Sequence, residues 1–220
     1  MMVQRGRHEE VRRRTQAERR AASRQRVIDA AIAVIGRMGY NGTTLAEIGQ
    51  VAGCSRGLPH HYFGSKLELM GAVVAELSRR FQERVLQPPP ASQPGLDAVL
   101  GFAQDYLGSI AAAGPERMRT VHVLMLESLS VAPELRPLVA AMSEALRAQI
   151  RSLIDAGIAD GTIRRDAEPG TQAVLILGLL RGAALQWMVD PAGIDLDTTR
   201  GEIAATIRGR LAPDRIPSVL

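Results

Sequence analysis

Cysteine is nearly absent: the 220 residues hold one, Cys54. A lone thiol excludes an intrachain disulfide and any zinc site built on paired cysteines. Aromatics are almost as scarce, with three Phe, three Tyr and one Trp, so the core must be aliphatic, with eight Met as gap fillers. There are four histidines, and no paired-carboxylate or glycine-rich phosphate motif accompanies them. No catalytic residue, metal ligand or cofactor is therefore assigned. Long apolar runs are missing too. The longest candidate, residues 173–188, is interrupted by Arg181 and Gln186, against the roughly 20 apolar residues that a bilayer span needs. Half of the first twenty residues are charged, so no secretory signal is expected. The expectation is a cytoplasmic protein with no membrane partner.

Lysine is the other rarity. Lys66 is the only one among 27 basic residues, and arginine's planar fork suits phosphate. The charge is also uneven. Residues 1–66 carry twelve basic against five acidic side chains, a net of +7, and residues 67–220 carry fifteen against eighteen, a net of −3. A basic head on a mildly acidic body reads as a polyanion-binding end or as a solvated arginine-rich tail. Composition does not choose between them.

What is present is helical periodicity. Val27, Ala31, Val34, Ile35 and Met38 share one face of a first helix that Gly39 closes. Thr44 and Glu47 have the spacing of a capping box and open a short second helix with Leu45, Ile48 and Val51 inward. Ser55 is placed to cap a third helix running to Phe63, and Ser65 with Glu68 opens a longer fourth, with Leu67, Met70, Val74, Leu77, Phe81 and Val85 on one side, that Pro88–Pro90 ends. Further helices are expected over 96–110, 116–130, 134–159 and 170–190, and a ninth from Thr199, where Glu202 repeats the box spacing, to Leu211. No stretch alternates long enough for a strand. The fold class is all-α, about nine helices, with a basic and disordered N-terminal arm at 1–20, a helix-turn-helix domain at 21–66 and a helical C-terminal domain at 67–220.

Two short helices around a tight Gly53-Cys54-Ser55 turn, with a longer helix ahead of them, have the layout of a helix-turn-helix, whose last helix enters the DNA major groove. Arg56, His60, His61 and Tyr62 are suitable donors and flat rings on that helix. By itself the layout is shared with many enzymes, and an all-α enzyme stays open as the alternative at this point.

The stretch from Arg26-Val-Ile-Asp-Ala-Ala through Gly39-Tyr40, Thr43-Thr44, Ile48, Ala52-Gly53, Ser55-Arg56-Gly57 and His61-Tyr62-Phe63-Gly64-Ser65-Lys66 resembles the tetracycline-repressor (TetR) family of bacterial transcriptional regulators. The resemblance is continuous from about Arg24 to Val74; beyond it only helix count and order agree. It implies a homodimeric repressor on a near-palindromic operator in double-stranded DNA, released by a small-molecule effector, or a DNA-binding regulator without one. It also implies roles at the reading head. Thr43, Thr44 and Lys66 are expected at phosphate, Ser55 at the cap, Arg56 and Gly57 at the start of the recognition helix, and His60, His61 and Tyr62 at phosphates and bases. Two positions depart from the family pattern. His60 stands where tyrosine is usual, and Pro59 sits inside the recognition helix, so that helix starts later or bends.

In the C-terminal half, Phe102, Tyr106, Met118, His122, Met125, Leu126, Glu127 and Trp187 are the candidate lining of an apolar effector cavity between the fifth, sixth, seventh and eighth helices. Acidic residues are sparse there, with Glu127 the main one, which favours a neutral or anionic small apolar effector over a polycation. The eighth helix is apolar nearly all round, as a helix packed both on its own core and on another subunit would be. Leu177, Leu180 and Ala184, with Ile203 and Ile207 of the ninth, are the expected dimer interface.

Overall fold

The computed structural model describes residues 15–85, 95–113 and 115–213. Among these the chain forms nine α-helices and no strand. In order they are α1 (Gln16–Met38), α2 (Leu45–Val51), α3 (Leu58–Phe63), α4 (Lys66–Val85), α5 (Gly95–Ala113), α6 (Pro115–Ser128), α7 (Arg136–Ala159), α8 (Pro169–Val189) and α9 (Leu196–Leu211), with a 3-10 turn at Pro133–Leu135 before α7.

Side-chain caps open α1, α2, α8 and α9, and three helix starts lie away from where the sequence puts them. Thr15 and Glu18 form a reciprocal capping box, so residues 16–20, expected in a disordered arm, are the first turn of α1. The arginines ahead of Thr15 lie outside the described residues, as does the Pro88–Pro90 stop. The third helix begins at Leu58 with Gly57 at its N-cap, and Ser55 is not the cap. Pro59 explains the shift, because in the first turn its missing N–H costs no helical bond. The ninth helix is opened by the Asp195 carboxylate, which accepts from the Asp197 and Thr198 amides, while Thr199 lies inside it and donates to the Asp195 carbonyl at 2.7 Å.

Two aliphatic cores result. The first gathers Val27, Ala31, Val34 and Ile35 of α1, Ile48 of α2, Phe63 of α3 and Leu69, Met70 and Val73 of α4. It also takes Leu124 of α6, Leu135 of the 3-10 turn and Val139 of α7, so the N-terminal head is seated on the C-terminal half and the packing crosses the boundary expected at residue 66. The buried Thr120 hydroxyl of α6 donates to the Ile32 carbonyl of α1 at 2.9 Å. The second core is built from α5, α7, α8 and α9 around Val99, Leu107, Ile110, Ile150, Ile154 and Leu180. Helix α8 has a mean hydropathy of 1.4, long and apolar enough by length and composition to cross a bilayer, which the sequence reading did not anticipate. In the fold its inner face lies within this second core, and that accounts for the composition.

The start of α5 shows how tightly that core is set. Its first amides have no intrahelical partners. Gly95 N donates to Asp160 Oδ2 at 2.8 Å and Leu96 N donates to Thr162 Oγ1 at 3.1 Å. For this the α5 backbone must come down on α7, and a Cβ at Gly95 would fall on the Gly157 Cα and N. Because the obstacle is backbone, it cannot rotate away. Gly95→Ala is therefore expected to lower stability by about 1–3 kcal/mol, read as a lowered melting temperature; an unchanged melting temperature would refute this packing.

Candidate nucleic-acid interface and effector cavity

The reading head is fixed by the turn between α2 and α3. Cys54 donates both its backbone N–H, at 3.0 Å, and its Sγ–H, at 3.3 Å, to the Gly49 carbonyl, and Gly53 takes a positive φ of 65°. Gly49 lets the two helices meet, since a Cβ there would lie 3.0 Å from the Ser55 carbonyl and 3.2 Å from Pro59 Cδ. With Pro59 and Phe63 held in the core, Ser55, Arg56, Gly57, His60 and His61 are left on the exposed surface of α3 and its approach, with Tyr62 half-buried beside His61 at 5.8 Å between ring centroids. Arg24 of α1 places its guanidinium 4.7 Å from the Phe63 ring. The fold thus brings Ser55, Arg56, Gly57, His60, His61 and Tyr62 together on and just before α3, with Arg24 of α1 beside Phe63.

Two expected phosphate contacts do something else. Thr43 is buried and donates to the Gly39 carbonyl at 2.6 Å, so its hydroxyl closes the end of α1 and is not presented to DNA. Thr44 is exposed but serves as the N-cap of α2 with Glu47. Lys66 is partly covered, with Nζ 4.1 Å from the Tyr40 ring centroid. Burial holds its pKa below the usual lysine value, against the pull of Glu127, Glu134 and Glu47.

The expected ligand residues divide. A cavity of about 110 Å³ lies among α4, α5, α6, α7 and α8. Tyr106 and Met118 line it as expected, and Phe102 stands just behind, packed on Phe81 and Tyr106 with centroids 6.5 and 6.3 Å away. The others do not line it. Leu126 points outward and is 60% exposed, Met125 packs on the N-terminal core, and Trp187 packs on the C-terminal core. Glu127 accepts from the Tyr40 amide at 2.6 Å, capping the chain beyond α1. His122 is buried, its Nδ1 2.9 Å from the Met118 carbonyl and its Nε2 without a hydrogen-bond partner among the described residues. Burial pushes its pKa below the usual histidine value. Sequence reading missed the α4 wall, Leu77, Ser78, Arg80, Phe81 and Gln82, and from α7 and α8 Met142, Ala145 and Arg181. The sequence did show Leu77 and Phe81 on one apolar stripe of the fourth helix, but not which core that stripe meets.

Arg80 joins the cavity to the head. It pairs with Glu76 on its own helix and with Asp29 on α1. Glu76 is buried and receives Arg79 as well, at 2.8 and 2.9 Å, and Gln25 of α1 at 3.1 Å. The Arg79 hydrogen bonds, helped by Arg80 and opposed by burial, pull the Glu76 pKa down to about 2.

The five expected interface residues are all buried within the protomer. The helical period turns Leu177, Leu180 and Ala184 inward and leaves the opposite side of α8 outward, where Leu175, Gly178, Leu179, Gly182 and Gln186 form a shallow depression with Ile194 and Arg210; Ile203 alone of the five borders it.

A helix-turn-helix head seated on a helical body is the layout of a DNA-binding regulator, and the comparisons agree. Residues 27–73 match the profile described as bacterial regulatory proteins, tetR family, and residues 107–212 match the BetI-type transcriptional repressor C-terminal profile. The chain is similar to the HTH-type transcriptional repressor BepR of Brucella suis, 25% identical over 211 residues that cover 93% of this chain and 99% of BepR. Likeness to the HTH-type transcriptional regulator CymR of Pseudomonas putida is 42% over 72 residues, 33% of this chain and 36% of CymR. Among solved structures, a TetR regulator from Chloroflexus aurantiacus superposes with a TM-score of 0.77 at 24% identity, over 88% of this chain and 98% of that one. A transcriptional regulator from Saccharomonospora viridis in complex with choline gives 0.73 at 18%, over 88% and 99%. The chain belongs to the TetR family and is a DNA-binding transcriptional regulator.

The Glu76 network carries a pH signature. A carboxylate whose folded pKa lies below its ordinary 4.5 adds stability that is complete above that value and is lost as pH falls through it toward about 2. Wild type should therefore lose stability more steeply over that window than Glu76→Gln, which should already be less stable at neutral pH. Parallel acid limbs in denaturant titrations would contradict this.

Proposed function

We propose that the protein is a homodimeric repressor that binds a near-palindromic operator and is released when a small apolar effector enters the α4–α8 cavity. The observation that carries this reading is Arg80, which lines the cavity and is ion-paired to Asp29 of α1. A ligand that displaces the α4 wall must act on the pairing that sets the angle of the head. An effector that favours one spacing of two recognition helices shifts the dimer away from its DNA-binding form. DNA as the partner goes with a cytoplasmic location.

Dimerisation is supported by the outward side of α8, where Leu175, Leu179 and Leu185 are each about 40% exposed (42%, 42% and 41%) and Val174 56%. Gly178 and Gly182 there meet nothing that a Cβ would touch, which leaves room for the close approach of a second helix. A two-fold dimer presents its recognition helices to successive major grooves about one helical turn apart. The effector is proposed to differ from that of the choline-bound neighbour. The likeness there is one of fold, and the cavity here is lined by two guanidiniums and no described acidic side chain, an unfavourable setting for a quaternary ammonium.

Footprinting on the DNA flanking its own gene should show two protected half-sites on one face of the duplex. Arg56→Ala should lose about 1–3 kcal/mol of binding, and the loss should vary with the base opposite. An equal loss on every sequence would assign Arg56 to phosphate. Absence of any sequence-specific complex at modest salt would refute the repressor reading.

A further inference from the structure

The cavity holds two cations in different electrostatic states. Arg80 is neutralised within the fold by Glu76 and Asp29. Arg181, on α8 at the other side of the cavity, has no carboxylate at salt-bridge distance among the described residues. Its Nη2 donates to the Ser143 hydroxyl at 3.1 Å, and it also lies beside the Tyr106 hydroxyl. Both partners are neutral. Of the remaining lining, Leu77, Phe81, Met118, Val121 and Leu146 are apolar, and Ser78, Gln82 and Ser109 are polar but uncharged.

A guanidinium drawn partly out of water, with the Ser143 and Tyr106 hydroxyls and the buried His122 beside it and no carboxylate at salt-bridge distance, lacks the charge compensation that such groups usually have. Its fork matches a carboxylate bidentately. The ring wall of Phe81 against Tyr106, 5.3 Å between centroids, and the thioethers of Met118 and Met142 suit an apolar body of a few carbons.

Resting on the effector reading of this cavity, we infer that its ligand is a small apolar monocarboxylate whose carboxylate pairs with Arg181. Tyr106 and Ser143 hold the guanidinium in place, and the body of the ligand lies against Phe81 and Leu146 on the α4 and α7 walls. Recognition is by charge at the α8 end and by shape at the α4 end. The group that selects the ligand is therefore separate from Arg80, the group that couples the cavity to the head.

The test is titration of the full chain with benzoate and octanoate, with benzyl alcohol and benzyltrimethylammonium as neutral and cationic controls. Trp187 fluorescence and melting temperature are the readouts. Wild type should bind a carboxylate saturably and more tightly than the alcohol, and the ammonium most weakly. Arg181→Gln should weaken carboxylate binding by about ten- to a hundredfold and leave benzyl alcohol unchanged, while Arg181→Lys should keep part of the preference. If Arg181→Gln does not fold, the wild-type ranking and Arg181→Lys decide. An alcohol or ammonium that binds as tightly as the carboxylates, or an Arg181→Gln protein that binds them as wild type does, overturns the inference. The regulator reading is scored separately by ligand-free operator binding. A specific complex with no carboxylate preference removes only this inference, and no specific complex removes the regulator reading whatever the titrations show.

Discussion

Glu76 is the group around which the two halves of the molecule are arranged. Its carboxylate is buried midway along α4, where that helix passes from the N-terminal core, through Leu69, Met70 and Val73, to the cavity wall at Leu77 and Phe81. A charge in that position is tolerated only because Arg79, Arg80 and Gln25 hydrogen-bond to it. Two of those partners lie on α4 and one on α1, and Arg80 extends further to Asp29. The network therefore sets the angle between α1 and α4. Replacement by an apolar pair would remove that angular preference while leaving the two helices packed.

From this constraint the division of labour follows. The recognition surface of α3 is held rigidly to α2 by Gly49, Cys54 and Pro59, so the head moves as a unit or not at all. The end of α1 is tied to α6 and the turn after it through Tyr40, Glu127 and Glu134. Motion in the head must then be carried by α4 together with α6, both of which line the cavity.

Much of the fold was legible because helices announce themselves locally. The capping box at Thr44, the Ser65 hydroxyl that accepts from the Glu68 amide, and the glycine stops at Gly39 and Gly64 lie where the sequence put them. The box at Thr15 was equally local but was hidden in a run of arginines. The exposure of His60 and His61 on α3 was legible for a different reason: packing on that short helix is taken by Pro59 and Phe63, which leaves the two histidines no core role. Thr43 was misplaced because a threonine before a capping threonine looks exposed, and only the turn of the chain at Gly39 shows that its hydroxyl is enclosed. The cavity was the least legible part. Periodicity assigns a residue to the inner side of its helix without saying which of two cores it meets, so Met125 and Glu127 went to the N-terminal side and Leu77 and Phe81 to the cavity. The same ambiguity on α8, apolar all round, placed Leu177, Leu180 and Ala184 at an interface when they belong to the protomer core.

The central claim is that filling the cavity is felt at the operator through Arg80 and Asp29. Its most direct test needs no ligand: operator affinity of Val121→Phe, which places a ring in the cavity, measured in the wild-type and Asp29→Asn backgrounds. The account predicts a clear loss of affinity in the first and a much smaller one in the second, with both proteins folded. An equal loss in the two backgrounds, or none in either, would contradict it.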